Sequence, residues 1–91
     1  MNYDHEIKSQ PPFFQDVLDG RKTFEIRFDD RNYCEGDRLL MREYTVSGWA
    51  SIGRYTGRRM ECVVGYITNF AQKPGCIVFG VHSVKRLDDA T

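Results

Sequence analysis

The hydrophobic period of this chain changes at Gly20, and that change restricts the possible folds more than any other feature. Before it, in "SQPPFFQDVLDG", Phe13, Phe14, Val17 and Leu18 recur at helical spacing. Pro11 suits a first turn and Gly20 a left-handed C-terminal cap, so the spacing predicts a helix over about 11–19. After it, Phe24, Ile26 and Phe28 alternate with Thr23, Glu25 and Arg27, the period of a half-buried strand. Such a strand is expected to bury Phe24 and Ile26 and to carry Glu25 and Arg27 together on its other face.

The remaining segments extend the β pattern. "HEIK" is short enough for a first strand, "DDRNYCEGD" is a turn by composition, and "RLLMREYTV" is a long strand. "SGWASIGRYTGRR" carries three glycines and is expected to be a long loop or a loose hairpin. "MECVVGYITNF" and "CIVFGVHSV" are β-branched and aromatic runs separated by the "AQKPG" turn. Their near-continuous apolar character suggests strands covered on both faces. With 91 residues there is room for one core, so residues 1–91 are expected to form a single domain, with its core over about 5–86 and a loose C-terminal tail. The product is an α+β, mainly β fold. It should be a small curved or closed sheet of about five or six mixed, mostly antiparallel strands with one principal helix. Phe13, Phe14, Val17, Leu18, Phe24, Ile26, Val64, Ile77 and Phe79 are expected inside it.

Charge and cysteine usage narrow the chemistry. Thirteen basic and thirteen acidic residues cancel, which excludes a protein that coats nucleic acid through bulk charge; anion binding must come from a local patch. Cys34, Cys62 and Cys76 are far apart, with no His at ligand spacing, so neither a structural zinc nor a disulfide framework is expected. Asp29, Asp30, Glu35 and Asp37 lack calcium-loop spacing and read as turn chemistry. No metal and no cofactor are expected. No window approaches the roughly 20 apolar residues of a membrane span, and the N-terminus has no apolar run before a cleavage site. The expectation is a cytoplasmic protein without membrane contact.

Lys22, Glu25 and Arg27 are the first candidate site, because a strand following a capped helix brings three charged side chains together near its mouth. A plain surface pair of Glu25 with Arg27, worth only ~0–1 kcal/mol, would satisfy the same pattern. The run G-x-K-x-x-E-x-R, here Gly20, Lys22, Glu25 and Arg27, resembles the signature of ASCH domains in the PUA-like β-barrel superfamily. The chain is most similar to a small ASCH-like family of uncharacterised phage and bacterial proteins. "HEIK", "FFQDVLDGRKTFEIR", "DRNYCEGDRLLMREY", "YTGR" and "GCIVFGV" carry this resemblance over roughly residues 5 to 81. It implies a PUA-like barrel with a cleft beside the helix and the motif strand, suited to single-stranded RNA or a modified nucleotide.

"RYTGRR" adds Arg54, Tyr55, Arg58 and Arg59, with Trp49 nearby, so cations for phosphate lie next to aromatic faces for a base. The nucleic-acid-binding residues are therefore expected to be Lys22, Glu25, Arg27, Arg54, Tyr55 and Arg58. Arginines in a Gly-rich loop also serve simply to keep a surface solvated. An enzyme reading comes from one ASCH branch, similar in motif, that hydrolyses the acetyl amide of N4-acetylcytidine with a Lys, a Thr three residues later and a distant Glu. Here Lys22 matches the lysine, but Glu25 stands where the hydroxyl would be and Thr23 is adjacent. Catalysis, if any, would fall to Lys22 and Glu25. His5 is read as a hydrogen-bonded structural histidine and His82 as a strand-end residue. The third class is a module that binds a protein partner, which a net charge of zero suits.

Overall fold

The computed structural model describes residues 2–48 and 52–87, so Trp49 lies outside the described residues. Five strands make one sheet: β1 (His5–Ser9), β2 (Phe24–Phe28), β3 (Arg38–Ser47), β4 (Ile52–Thr68) and β5 (Cys76–Arg86). One short helix, α1 (Phe13–Leu18), stands between β1 and β2 in the chain. The spatial order is β1-β3-β4-β5-β2, with β1 parallel to β3 and every other pair antiparallel. A parallel pair needs a crossover, and the segment between β1 and β3 is the one that carries α1 and β2 to the opposite edge.

β3 and β4 form a long hairpin whose register slips between Arg42 and Tyr44, and β4 slips twice more against β5. Bulges of this kind increase twist and curl a sheet. The concave face holds the core: Ile7, Leu39, Met41, Met60, Cys62, Val64, Ile77 and Phe79 from the strands, closed over by Phe14 and Val17 of α1. Tyr33, from the loop before β3, packs against Phe79 with ring centroids 5.0 Å apart.

Curling brings the two edge strands toward each other without joining them. Arg27 Nη2 donates to the Lys8 carbonyl at 2.6 Å and Arg31 Nη1 to the Glu6 carbonyl at 2.7 Å. Side chains thus span a seam that no backbone ladder crosses among the described residues. The domain is mostly β, with five strands in a mixed sheet and a short helix, but the sheet is open and not a closed barrel. Each edge strand has only five residues, and on β1 arginine guanidinium groups occupy carbonyls that a closing strand would need.

Several sequence expectations are corrected. Phe24 and Ile26 are not inside: they are 43% and 58% exposed, with Phe28 at 65%, whereas Glu25 is 4% exposed. Pairing with β5 decides this. Glu25 sits opposite Phe79 and Arg27 opposite Ile77, both inward residues, so Phe24, Ile26 and Phe28 share the outer face with Gly80, Val78 and Cys76. A period of two defines two faces without saying which is buried, and a shift of one residue exchanges them. The helix is shorter than 11–19, beginning at Phe13 after Pro12 with no side-chain cap bond. Phe13 is consequently exposed at its first position, and Leu18 is only partly buried.

"RYTGRR" is strand, not loop, with Arg54 opposite Thr45 and Tyr55 opposite Tyr44. Its glycines serve the hairpin: Gly57, at φ +94°, falls in the bulge, and a Cβ at Gly53 would overlap the Tyr44 ring. Finally, β4 and β5 are covered on one face only. Met60, Cys62, Val64, Ile77, Phe79 and Val81 are buried in alternation, and Tyr66 on the outer side is 74% exposed. The only described helix covers the concave side, so no described element lies over the other.

Candidate functional site

The site begins at the end of α1. Gly20 adopts φ +77°, its N–H bonds to the Val17 carbonyl at 3.1 Å, and the Arg21 N–H returns to the Asp16 carbonyl at 2.9 Å. This is the Schellman arrangement, for which glycine is suited because it has no Cβ to strain. The Lys22 N–H bonds to the same Asp16 carbonyl at 3.0 Å, so the helix end fixes where the lysine leaves the chain.

From there the Lys22 ammonium reaches Glu25 Oε2 at 2.5 Å and the Phe24 carbonyl at 2.8 Å. It lies 5.7 Å from the Phe13 ring centroid and 5.3 Å from that of Phe24. Both distances allow cation–π attraction. Glu25 Oε1 accepts from Arg27 Nε at 3.2 Å and lies 3.1 Å from Nη2. The carboxylate is therefore buried between two cations, with each oxygen engaged. A charge taken out of water in this way is tolerated because it is paired and hydrogen-bonded.

This triplet lines one wall of a cavity of about 520 Å³ at the seam, whose rim includes Phe13, Phe24 and Ile26 and whose opposite wall comes from Lys8, Ser9 and Gln10. Three cations, Lys8, Lys22 and Arg27, face one carboxylate there. A second cavity of about 370 Å³ adjoins along the seam, lined by Glu6, Lys8, Arg27, Arg31 and Tyr55. Lys8 and Arg27 belong to both. The Lys8 ammonium rests 4.4 Å from the Tyr44 centroid and 6.0 Å from that of Tyr55, and Arg42 lies 3.6 Å over the Tyr55 ring while pairing with Glu6. The local result is a cationic, aromatic-rimmed cleft in a chain of zero net charge.

Of the sequence-derived residues, Lys22, Glu25 and Arg27 come together in the first cavity, and Tyr55 joins Arg27 in the second. Arg54 is exposed on β4 and lines neither. Arg58 hydrogen-bonds Gln15 of α1, pairs with Glu43 at 3.6 Å and lies 5.0 Å from the Phe14 ring. It clamps the helix to the hairpin. Glu43 is itself buried and accepts from the Thr56 hydroxyl at 2.9 Å. Sequence reasoning missed Lys8 and Arg31 and assigned Phe13 to the core. The alternation within His5–Ser9 could have placed Lys8 opposite the buried Ile7 on the outer side of its strand.

Outside the cleft, His5 Nε2 lies 2.8 Å from Asp37 Oδ2, and its ring packs 4.7 Å from that of Tyr33. It is a hydrogen-bonded structural histidine, as read from the sequence. Burial pushes the Asp37 carboxyl up, but the Cys34 N–H and the His5 ring more than offset this, holding it below the usual carboxylate range. The acidic segment is turn chemistry: Asp29 Oδ1 accepts from the Tyr33 N–H at 3.2 Å and Asp37 Oδ2 from Cys34 at 2.9 Å. Among the described residues no three His, Cys, Asp or Glu side chains are placed to share a metal ion, and no helix is long and apolar enough to cross a membrane. Burial, reinforced by the Glu25 and Glu61 carboxylates, pushes the Cys62 thiol up to about 12.

The fold and cleft define a small, mostly β domain with a charged seam between its edge strands. Residues 4–81 match the family described as Domain of unknown function (DUF3850), and the chain belongs to that family. The matched span contains both edges of the seam and Tyr55. The chain is also 37% identical, over 67 residues or 74% of its length, to the "Uncharacterized 12.9 kDa protein in GpA 3'region" of Escherichia phage P2. That match covers 56% of the phage protein, so the chain spans about half the length of this curated relative.

Proposed function

We propose that the protein is an ASCH-like, PUA-related binding domain whose seam cleft takes single-stranded RNA or a nucleotide. The observation that carries this reading is the Lys22 ammonium, held against Glu25 between the exposed Phe13 and Phe24 rings at the mouth of the larger cavity. Two of its three N–H donors are committed to Glu25 and Phe24, which leaves one for a base carbonyl or phosphate oxygen. The aromatic rims supply stacking surface for a planar base, and unpaired bases of single strands are accessible to such surfaces. Glu25 acts here by fixing Lys22 and Arg27; it is not a free acceptor.

That engagement also weighs against the N4-acetylcytidine amidohydrolase alternative. A general base needs a carboxylate in reach of water, and both oxygens of Glu25 are already held by cations. A protein-binding reading draws on a different feature, the outward row of Phe24, Ile26 and Phe28.

The test is titration of the wild type and Lys22→Met with a panel of short single-stranded RNAs and nucleosides at two salt concentrations. Binding that weakens steeply with salt, and that falls at least about tenfold in Lys22→Met, is expected. Absence of binding to every member at low salt overturns the reading and directs attention to a protein partner.

A further inference from the structure

We infer that the seam holds two consecutive nucleotides of one strand, with the phosphate that links them at Lys8 and Arg27. This deepens the nucleotide-binding reading above and rests on it. The two cavities adjoin and share just these two cations among their charged residues. Each has an aromatic of its own: Phe13 and Phe24 in the first, and Tyr55, 39% exposed and backed by Arg42, in the second. The cleft thus alternates aromatic, cationic and aromatic surface along the seam, which is the order of base, phosphate and base.

Both shared cations have donors open to a ligand. The Lys8 ammonium makes no ion pair among the described residues and rests only over the Tyr44 and Tyr55 rings. Arg27 commits Nε and Nη2 to Glu25 and the Lys8 carbonyl, which leaves the Nη1 donors for a ligand. A guanidinium anchored on one side and open on the other suits a phosphate oxygen. Arg42 lines neither cavity and is paired with Glu6. A lone nucleoside would fill one cavity and bring no phosphate to the shared cations. A phosphodiester with a base on each side engages both cavities, and single-stranded bases can splay to do so.

Calorimetric titration of the full chain with each nucleoside and with the matching dinucleoside monophosphate, such as cytidine and CpC, tests this directly. The best dinucleoside monophosphate is expected to bind at least about tenfold more tightly than its nucleoside, as one added stacked base allows. Replacing its linkage with a neutral methylphosphonate, or Lys8 with Gln, should remove that gain. Tyr55→Leu should return the dinucleotide to nucleoside affinity. Nucleosides that bind as tightly as dinucleotides overturn the two-nucleotide arrangement and leave nucleotide binding standing. A gain that survives both the methylphosphonate and Lys8→Gln overturns the phosphate placement. If no nucleoside, dinucleotide or RNA binds, the nucleotide reading itself falls.

Discussion

Removing the Lys22 ammonium leaves Glu25 buried with one cation instead of two, and that determines what the substitution costs. A lysine at an exposed strand mouth would be dispensable for stability. Hydrogen-bonded to a carboxylate that is 4% exposed, it is not. Lys22→Met is expected to lower stability by about 1–3 kcal/mol in urea unfolding, because it strands part of a buried charge. Glu25→Gln in the same chain should recover part of the loss, so the double variant is more stable than the sum of the single effects requires. Strict additivity would mean that the lysine and the carboxylate are independent. The three cysteines form a second residue-scale contrast. Cys34 is exposed, Cys76 intermediate and Cys62 buried with its thiol pushed up to about 12. At pH 8 an aromatic disulfide reagent should label Cys34 rapidly and leave Cys62 unmodified until the protein unfolds, since the thiolate is the reactive form. Labelling of Cys62 at the rate of Cys34 in the folded state would contradict the packing around Met60, Cys62 and Val64.

Individual elements were legible in the sequence wherever local chemistry decides them. Gly20 was readable as a helix terminator because a left-handed cap depends on the glycine and its neighbours alone. The orientation of β2 was not readable, since it depends on pairing with β5 about fifty residues downstream. The hairpin was half readable. Its glycines suggested a loop, yet Gly53 is there because the cross-strand Tyr44 ring lies where a side chain would be. Gly53→Ala should therefore destabilise the domain, and Gly53→Ala combined with Tyr44→Ala should be less damaging than Gly53→Ala alone, as thermal melts would report. The candidate site divides the same way. Lys22, Glu25 and Arg27 sit on one element and were found together, whereas Lys8 and Arg31 reach the cleft only through the seam. His5 and Asp37 link β1 to the loop before β3, and their pH behaviour follows from the direction of the Asp37 shift. A folded-state value below the unfolded one of about 3.9 gives stability that is present above pH ~4 and lost as pH falls through the folded value. Asp37→Asn should therefore lower the melting temperature at pH 7 and flatten its decline below pH 4. An unchanged acid limb would remove Asp37 from the account.

At the scale of the whole molecule, the open question for any five-stranded sheet is what protects its edges. A curved sheet could be anticipated from the strand count, but the side-chain seam between its edges could not. It depends on Arg27 meeting a carbonyl 19 residues away and Arg31 one 25 residues away. These two guanidinium groups cover the free carbonyls of β1 at Glu6 and Lys8 and hold the two edges at cleft width. An uncovered edge strand is a template for pairing with another chain. The protein also carries zero net charge with a sequence pI near 6.7 and exposes Phe24, Ile26 and Phe28 along its other edge strand, so electrostatic repulsion does little to keep copies apart near neutral pH. The double variant Arg27→Met, Arg31→Met separates two controls on self-association. Losing two of 13 basic residues against 13 acidic ones changes the formal net charge from 0 to −2. If net charge governs self-association, the variant should be more soluble at pH 7 than the wild type. If the guarded edge governs it, the variant should associate more despite its greater charge, and amide exchange in β1 and β2 should quicken as the seam loosens. Association measured by light scattering, alongside exchange on the same samples, is expected to follow the second pattern; a variant that associates no more than the wild type, with unchanged β1 exchange, would show that the arginines do not hold the seam.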